Sequence, residues 1–580
     1  MSENSRAVRL LGAMTNSWLG RYSQTFSFWG LVVGTLFFSA SLTPSLLPRP
    51  HFVQGVLAGF AAAVGYGVGI SFIALWQYLE LPRASGRLDR YSRYASVVVA
   101  ALIAVGFLWR NSVWQNSIRE LMDMEPVATT HPMRVGFIAV LMAVALVASA
   151  RGLRYCWQVI HRRVSRFVPR RVSYVLSTIL VFILVILVAN HIIARQALNL
   201  ADAVFREIDE RSDHEIPQPT EPNASGSEAS LIAWDSIGLQ GKNFVVHGPT
   251  EQEISDFLGR QAQAPLRVYV GVRSRESMQE RAQLALEELK RVGGFERSVL
   301  VVTTPTGTGW LDPGAVDTIE YLHGGDTAIV SMQYSYLPSW ITILVDPERS
   351  RHSAQYLFKE IYNYWTRLPH DHRPKLYLHG LSLGSLGSES STDMFTIFAD
   401  PFQGALWSGP PFPSTDWNEL TRARTPGSPM WLPTFRDGSL VRFTGRESCL
   451  QDQGDRWGPM RIVYVQHASD PMVFFSGSLL FRRPEWLQGQ RGPDVSPYLN
   501  WCPIVTFLQV GFDLPMATSV PTGYGHNYAP STYLDAWIAV TNPPNWTTDD
   551  TRRLKALLAQ QAGSNSPFAA PRPREGSGSP

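Results

Sequence analysis

Long apolar runs in the first 200 residues constrain the fold more than any other feature of the sequence. A helix that crosses the hydrocarbon core of a bilayer needs about 20 apolar residues, and three runs reach that length: 26–47, 53–79 and 172–194. Two shorter runs, 94–109 and 135–150, contain no internal charge and are bounded by Arg. The runs lack the amphipathic period of helices in soluble domains. The sequence therefore predicts a membrane domain, residues 1–195, with about five transmembrane helices.

Basic residues predict how this domain is oriented, because cytoplasmic loops carry an excess of Lys and Arg. With a cytoplasmic N-terminus, the inner segments hold 14 Arg and the outer loops hold four. Five spans, or three if both weaker runs are dropped, then place everything after Arg195 on the other side. We therefore expect a multi-pass protein of the cell membrane whose following domain is extracytoplasmic.

Two polar segments bound a second domain. Residues 196–230 are acidic and polar and include a Pro-rich stretch, which is typical of a linker. Residues 563–580 are rich in Pro, Gly and Ser, and we expect a disordered tail. The domain between them is predicted to span 231–562.

Short β-rich runs alternate with helical patterns in this domain. The strand-like runs are 244–246, 266–272, 298–303, 327–332, 375–379, 405–407 and 461–466. Capping boxes at Thr250 and Ser277 mark two helix starts. Alternation of this kind predicts a mainly parallel sheet with helices on both faces.

Charge and cysteine content exclude some classes of function. Residues 1–200 hold 19 of the 51 basic residues and only 6 of the 48 acidic ones. The basic half is thus also the apolar half, which argues against a nucleic-acid partner. The three cysteines are not at zinc-site spacing. Because Cys449 and Cys502 lie in the domain predicted to be outside, we expect a disulfide between them and a reduced Cys156.

A candidate nucleophile lies in the segment 375–385, KLYLHGLSLGS, where a strand runs straight into G-x-S-x-G around Ser382. Glycines two residues before and after the serine allow the strained turn that presents a hydroxyl above a sheet. A helical pattern follows from 386 to 398. The five-residue pattern alone is common, and an ordinary turn serine is the alternative, but the strand-to-helix context favours a nucleophile.

A serine nucleophile needs a base, and the base needs a carboxylate to orient it. After such a turn the expected chain order is Ser, acid, His. Asp470 follows the strand-like run 461–466, and His526 lies in a loop with glycines on its N-terminal side. Asp400 is a rival acid because it also precedes a proline. The rival histidines are His323, His379 and His467, but only His526 follows the acid.

Two further segments are assigned from their positions. The oxyanion hole should use the amide of Leu383 and a second amide from the loop after the strand 298–303, where Gly307 and Thr308 are the candidates. An insertion, 409–458, is rich in Pro and contains three Trp. It is predicted either to form a lid that receives an acyl chain or to be a surface excursion with a small core of its own.

The chain resembles the actinobacterial membrane-anchored α/β-hydrolases, in which a multi-span N-terminal region precedes a hydrolase domain. The resemblance covers most of the chain and rests on SLTPSLLPR at 41–49 and on HGLSLGS at 379–385. It implies an N-terminal α-helical transmembrane bundle, followed by an α/β-hydrolase-type, mostly parallel sheet with a lid-like insertion, and a triad of Ser382, Asp470 and His526. It implies no particular substrate. The sequence departs from the pattern at 503–516, which fits either helix or strand.

The predicted function is a membrane-bound serine hydrolase that acts on a lipidic or other ester through an acyl-enzyme. This chemistry requires no metal or organic cofactor. Three alternatives stay open: an acyltransferase that uses the same triad on a cell-envelope lipid or glycan, a peptidase or amidase, and a non-catalytic membrane scaffold with a degenerate hydrolase domain. The linker also suggests that a fragment beginning near Leu231 would hydrolyse soluble esters without the membrane domain.

Overall fold

The computed structural model describes residues 26–82, 86–187, 216–392 and 400–564, together with Val204 and Glu207. These residues form two compact units. The first unit contains the described residues up to 187 together with Ser476–Gln488 and Val495–Met516. The second contains the remainder of the described chain. The tail from 565 onward, and the linker up to 215 apart from Val204 and Glu207, lie outside the described residues.

The helices and strands are numbered in chain order. The helices are α1 (Phe28–Ser41), α2 (His51–Tyr78), α3 (Gly86–Leu121), α4 (Pro132–Val164), α5 (Arg170–Leu187), α6 (Trp234–Ile237), α7 (Leu239–Val246), α8 (Glu251–Leu258), α9 (Met278–Arg291), α10 (Pro313–Leu322), α11 (Ser339–Val345), α12 (Glu348–Trp365), α13 (Leu383–Glu389), α14 (Thr415–Arg422), α15 (Pro471–Phe474), α16 (Val505–Asp513), α17 (Pro530–Thr541) and α18 (Thr548–Ser564). The strands are β1 (Leu266–Val270), β2 (Val299–Thr304), β3 (Thr327–Met332), β4 (Lys375–Leu381), β5 (Gly404–Ser408), β6 (Val441–Thr444) and β7 (Arg461–Val465).

Within the described residues, four helices are long and apolar enough to cross a membrane: His51–Tyr78, Arg90–Leu121, Pro132–Val164 and Arg170–Leu187. The prediction of five spans is corrected at the first one, because α1 has only 14 residues. At 1.5 Å per residue such a helix covers about 21 Å of a hydrocarbon core of about 30 Å. It ends before Thr43-Pro44, where the residue preceding proline is biased away from helical backbone.

Small residues let the helices of the first unit approach closely. A Cβ on Gly69 would lie 2.8 Å from the Cα of Gly30, and a Cβ on Gly59 would lie 2.5 Å from the carbonyl oxygen of Ala139. Both distances are too short for a side chain, so the contacts of α2 with α1 and with α4 require glycine. Contacts through small residues are typical of helix bundles in membranes.

The first unit also contains a part of the chain that the sequence assigned to the second domain. Helix α16 and the residues around it, Val495–Met516, belong to the unit that contains α1 to α5, as do Ser476–Gln488. The ambiguous segment 503–516 is helical from Val505 to Met516. The predicted domain 231–562 is interrupted twice by segments of the first unit, which we call the membrane unit below.

The second unit is built on a seven-stranded sheet in the order β1-β3-β2-β4-β5-β7-β6, with every neighbouring pair parallel. Strands β1 to β5 are buried along nearly their whole length, as expected for strands covered by helices on both faces. The parallel α/β fold is confirmed. The carboxyl ends of β4, β5 and β7 share one edge of this sheet, where Ser382 follows β4 and Asp470 follows β7, whereas His526 lies in the loop before α17.

One strand prediction is wrong, and one strand was not predicted. Residues 244–246 are the end of helix α7, which buries Phe244, so the serine follows the fourth strand in chain order. The strand that was not predicted is β6, which lies inside the insertion 409–458 and pairs with β7. Trp417 of the insertion is buried and donates a hydrogen bond to the Oε1 atom of Gln466 at 2.7 Å. Much of the insertion is therefore part of the sheet and its core.

Other local predictions have mixed outcomes. The capping boxes at Thr250 and Ser277 are both formed. The predicted disulfide is not formed, since Cys449 and Cys502 are free thiols in different units. From residue 216 onward the predicted linker is part of the second unit, where the carbonyl of Pro222 accepts a hydrogen bond from Arg291 at 2.7 Å.

Candidate active site

Ser382 lies in the turn between β4 and α13 with φ of 60° and ψ of −125°. A non-glycine residue in this region of φ and ψ is strained, and such strain is concentrated at functional sites. The backbone amide of Ser382 donates to the carbonyl oxygen of Ser408 at 2.9 Å, which fixes the turn against the end of β5. The residue is only 1% exposed, so its hydroxyl is shielded from bulk solvent in this conformation.

The two glycines of the motif are required by close backbone contacts. A Cβ on Gly380 would lie 2.3 Å from the carbonyl group of Gly384, and a Cβ on Gly384 would lie 2.1 Å from the carbonyl oxygen of Thr304. Any side chain at either position would open the turn or push α13 away from β2. The G-x-S-x-G pattern is thus explained by packing as well as by the turn.

Asp470 and His526 form a hydrogen-bonded pair. The Nδ1 atom of His526 lies 2.6 Å from the Oδ2 atom of Asp470, and the Asp470 side chain is fully buried. The other oxygen, Oδ1, accepts the backbone amide of Met472 at 2.8 Å and caps the short helix α15. Asp470 therefore serves both as the partner of a histidine and as a helix cap before proline.

The dipeptide Ser408-Gly409 at the end of β5 brings the histidine to the serine. The carbonyl of Ser408 holds the amide of Ser382, and a Cβ on Gly409 would lie 2.5 Å from the Cε1 atom of His526. Among the described residues, neither the Oγ atom of Ser382 nor the Nε2 atom of His526 has a hydrogen-bond partner. The hydrogen bond between a catalytic serine and its general base is often long in the absence of substrate and shortens in the enzyme–substrate complex.

The surroundings of Asp470 keep it ionised. Burial would raise the pKa of this carboxyl group, but the charge of His526 and the hydrogen bonds from His526 and Tyr528 outweigh burial and lower the pKa. The hydroxyl of Tyr528 donates to Oδ2 at 2.7 Å. A carboxylate that accepts from Nδ1 leaves Nε2 as the basic nitrogen, which is the tautomer that a general base needs.

The rival residues have other roles. Asp400 is paired with Arg373, whose Nη1 atom lies 2.6 Å from its Oδ2 atom. His379 is buried in β4, where its Nδ1 atom lies 2.8 Å from the hydroxyl of Thr303, and burial lowers its pKa to about 3. His467 stacks on Tyr528 at 4.4 Å and its Nδ1 atom contacts the carbonyl of Gly525. His323 follows α10, and burial lowers its pKa to about 4.

The predicted oxyanion residues differ in how free their amides are. Leu383 is the first residue of α13, so its amide has no acceptor within the helix and is available at the turn. The amide of Gly307 donates to the Oγ atom of Ser339 at 3.0 Å, and this residue packs against the carbonyl of Leu337. Gly307 is therefore occupied in this conformation. Thr308 remains the candidate for a second donor.

Two residues of the site were not singled out from the sequence. One is Tyr528, which holds Asp470. The other is Ser469, whose Oγ atom accepts the amide of Gly525 at 3.0 Å and so ties the loop of the acid to the loop of the base. The residue types alone do not predict these hydrogen bonds. The only available signal was position in the sequence, since Ser469 precedes Asp470 and Tyr528 lies two residues after His526.

A buried carboxyl group at the end of the serine helix gives a prediction about stability. Burial and the nearby charge of Asp416 raise the pKa of Glu389 to about 8. Because the folded state then binds a proton that the unfolded state releases, Glu389 lowers the free energy of unfolding progressively between about pH 4.5 and pH 8. We expect Glu389→Gln to raise the unfolding free energy by about 1–4 kcal/mol at pH 9 and to have little effect at pH 4.5, as measured by thermal unfolding.

Glu288 is a matched control of opposite sign. Burial would raise the pKa of Glu288, but its hydrogen bonds to Arg291 and Ser230 lower it. This group contributes stability above about pH 4.5 that is lost as the pH falls through its folded pKa. Glu288→Gln should therefore destabilise the protein at neutral pH, and a stabilisation by both substitutions at pH 9 would contradict the assignment.

Two family models match the chain. One, described as the alpha/beta-hydrolase family, matches residues 266–554, and the other, described as the alpha/beta-hydrolase family N-terminus, matches residues 42–249. The first range contains all seven strands together with Ser382, Asp470 and His526. Comparison with curated proteins and comparison with solved structures gave no match.

Proposed function

The chain belongs to the α/β-hydrolase family, and from that premise we propose that it is a membrane-bound serine hydrolase acting on a lipidic or other ester through an acyl-enzyme. The observation that carries the proposal is the Asp470–His526 hydrogen bond beside the strained turn of Ser382. Ser382 follows the end of β4, Asp470 follows the end of β7, and His526 is brought to Asp470 by the loop before α17. A nucleophile, an acid and a base combined in this way are the groups that acyl transfer needs.

In the proposed mechanism the Oγ atom of Ser382 attacks the ester carbonyl while the Nε2 atom of His526 accepts its proton. His526 then returns that proton to the departing alcohol, which leaves an acyl group on Ser382. A water molecule, deprotonated by His526, attacks this acyl group, and the acid is released as Ser382 regains its proton. Asp470 holds the imidazole through Nδ1 and stabilises its positive charge in both steps, and the amide of Leu383 donates to the developing oxyanion.

A location in the membrane supports a lipidic ester as the substrate. The distribution of Arg between the two ends of the first unit supports the side of the membrane on which we place the catalytic unit. Leu42, Trp114 and Val135 share one buried cluster, so the segments 42–50 and 122–131 lie at the same end of the first unit. The other end carries three Arg from 87 to 93 and seven from 151 to 171. The richer end is the cytoplasmic one by the positive-inside rule. Since α5 returns the chain to the poorer end, we place the catalytic unit outside the cytoplasm.

The test is hydrolysis of p-nitrophenyl butyrate by the purified full chain in detergent. We expect measurable turnover, and we expect Ser382→Ala to lower kcat by roughly 10³-fold or more because the nucleophile is lost. Ser385→Ala is the control, since Ser385 is a buried serine one turn later in α13 and takes no part in the chemistry. Equal turnover by Ser382→Ala and the wild type would contradict the proposal.

A further inference from the structure

The chain between the acid and the base of the triad passes twice through the membrane unit. After Asp470, the residues Ser476–Gln488 belong to the first unit, Gly489–Asp494 to the second, and Val495–Met516 again to the first. The chain then re-enters the second unit at Ala517 and reaches His526 nine residues later. The two catalytic loops are thus joined by residues that fold with the transmembrane helices.

The end of the second stretch is fixed by a buried ion pair. The Nε atom of Arg49 lies 2.8 Å from the Oδ1 atom of Asp513, and both side chains are fully buried. The amide of Leu46 donates to the Oδ2 atom of Asp513 at 3.2 Å, and the hydroxyl of Ser45 also donates to it. The Nη1 atom of Arg49 donates to Gln54 at 3.0 Å. The loop between α1 and α2 therefore fixes the end of α16.

A short path leads from this ion pair to the catalytic base. Asp513 ends α16, one 3₁₀ turn follows from Leu514 to Met516, and the next residue is Ala517. The carbonyl oxygen of Ala517 accepts the backbone amide of His526 at 2.8 Å. The main chain of the base is thus hydrogen-bonded to a residue that stands four positions after Asp513.

The beginning of the stretch is tied to the acid in the same way. The Oγ atom of Ser496 lies 2.7 Å from the Oγ atom of Ser117 in α3. Two residues earlier, the carboxylate of Asp494 accepts the amide of Ser469 at 3.0 Å as well as its hydroxyl. Ser469 directly precedes Asp470. Both ends of the stretch Val495–Met516 are therefore bound within the membrane unit, and both flanks are hydrogen-bonded to the triad loops.

We infer that Arg49 is a positioning residue for the triad, acting through Asp513 on the backbone of His526. The inference rests on the proposed function. A displacement of about 1 Å at a catalytic group can lower the rate of the chemical step about 10²-fold, so the effect of Arg49 belongs in kcat. The binding of a short soluble ester does not depend on it.

The test uses Arg49→Gln in the full chain, assayed with p-nitrophenyl butyrate and with a fluorophosphonate probe. We expect kcat to fall about 10–100-fold with KM within about twofold of wild type, and probe labelling to slow to the same extent. Turnover is divided by the amount of correctly folded protein. That amount is measured from the protein that elutes as a monodisperse peak and from the final extent of probe labelling. A normal kcat per folded protein would overturn the inference.

A double variant separates positioning from loss of folding. Arg49→Gln with Asp513→Asn leaves no uncompensated buried charge, so this protein is expected to fold, yet it lacks the guanidinium geometry and should keep a low kcat. Arg49→Lys retains the charge and should be intermediate. Full kcat in the folded double variant would overturn the inference.

The matched control is Ser173→Ala, in α5 of the same unit. The hydroxyl of Ser173 lies 3.0 Å from the Nδ1 atom of His161 in α4, and Ser173 is not part of Ser476–Gln488 or Val495–Met516. We expect wild-type kcat from this variant, and an equal loss of kcat would show that any change in the membrane unit has the effect and would overturn the role of Arg49. Absence of turnover and labelling in the wild type would instead refute the proposed function.

Discussion

Replacing Asp470 by Asn is expected to lower kcat for ester hydrolysis by roughly 10³–10⁴-fold while the protein stays folded in the membrane. The carboxylate accepts the Nδ1 proton of His526 and carries the charge that stabilises the imidazolium. An amide of the same shape can donate to Nδ1 instead, which places the proton on Nε2 and removes the base. The measurement is kcat for p-nitrophenyl butyrate with the purified full chain.

Asp400→Asn is the matched control because Asp400 precedes a proline in the same way and lies in the same unit. Its carboxylate pairs with Arg373 rather than with a histidine. We expect this substitution to lower the unfolding temperature and to leave kcat unchanged. Normal turnover in Asp470→Asn together with a large loss in Asp400→Asn would reverse the assignment of the acid.

A fragment of residues 216–564 is expected to be poorly folded and to have less than about 1% of the activity of the full chain. This reverses the expectation from the linker that the domain would act alone. Without the membrane helices, Asp513 loses Arg49, and the side-chain amide of Gln509 loses the carbonyl of Thr43, which it contacts at 2.9 Å. The segments Ser476–Gln488 and Val495–Met516, which fold with those helices, then have nothing to pack against, so the chain between Asp470 and His526 is not held in place.

Cleavage of the intact protein distinguishes folding from covalent connection. A protease site inserted between residues 208 and 215 would be cut after purification, and the two pieces should stay together and keep their activity, because Ser476–Gln488 and Val495–Met516 fold with the membrane helices. Activity of the separately produced fragment equal to that of the full chain would show instead that these segments need no membrane unit.

The parallel sheet and the three candidate residues could be predicted because each rests on local sequence. Strands buried on both faces are rich in apolar residues, as in β2, which begins with four of them, and in the central residues of β3 and β4. The serine turn is recognisable because only glycine fits the backbone contacts of Gly380 and Gly384. The order of serine, acid and histidine then left few candidates. The hydrogen bond from Tyr528 to Asp470 could not be predicted, because the tertiary fold decides which side chains contact the acid.

The errors have physical causes. Residues 244–246 are three apolar residues, too few for periodicity to separate a strand from the end of a helix. Strand β6 has four residues and follows a Pro-rich segment, so its pairing with β7 is visible only in the sheet. The first apolar run is long enough for a span, but it is divided near Pro44 into α1 and a buried loop.

The discontinuous unit is the feature that the sequence could least predict. Helix α16 has the composition of any partly buried helix, and nothing local indicates that its partners are more than 400 residues earlier in the chain. The one available signal was the segment at 41–49, whose Arg49 is a charge beside an apolar run. A charge in that position needs a buried partner, and the partner is Asp513.

The central claim is that Ser382 is an activated nucleophile, and the most direct measurement is covalent labelling of the full chain by a fluorophosphonate probe, followed by mass spectrometry of the labelled peptide. We predict a single labelled site at Ser382. We also predict that labelling is lost in Ser382→Ala and is slowed at least about 10²-fold in His526→Ala, because the hydroxyl is weak without its base. Absence of labelling at Ser382 in the folded wild-type protein, or labelling that is equally fast without His526, would contradict the account.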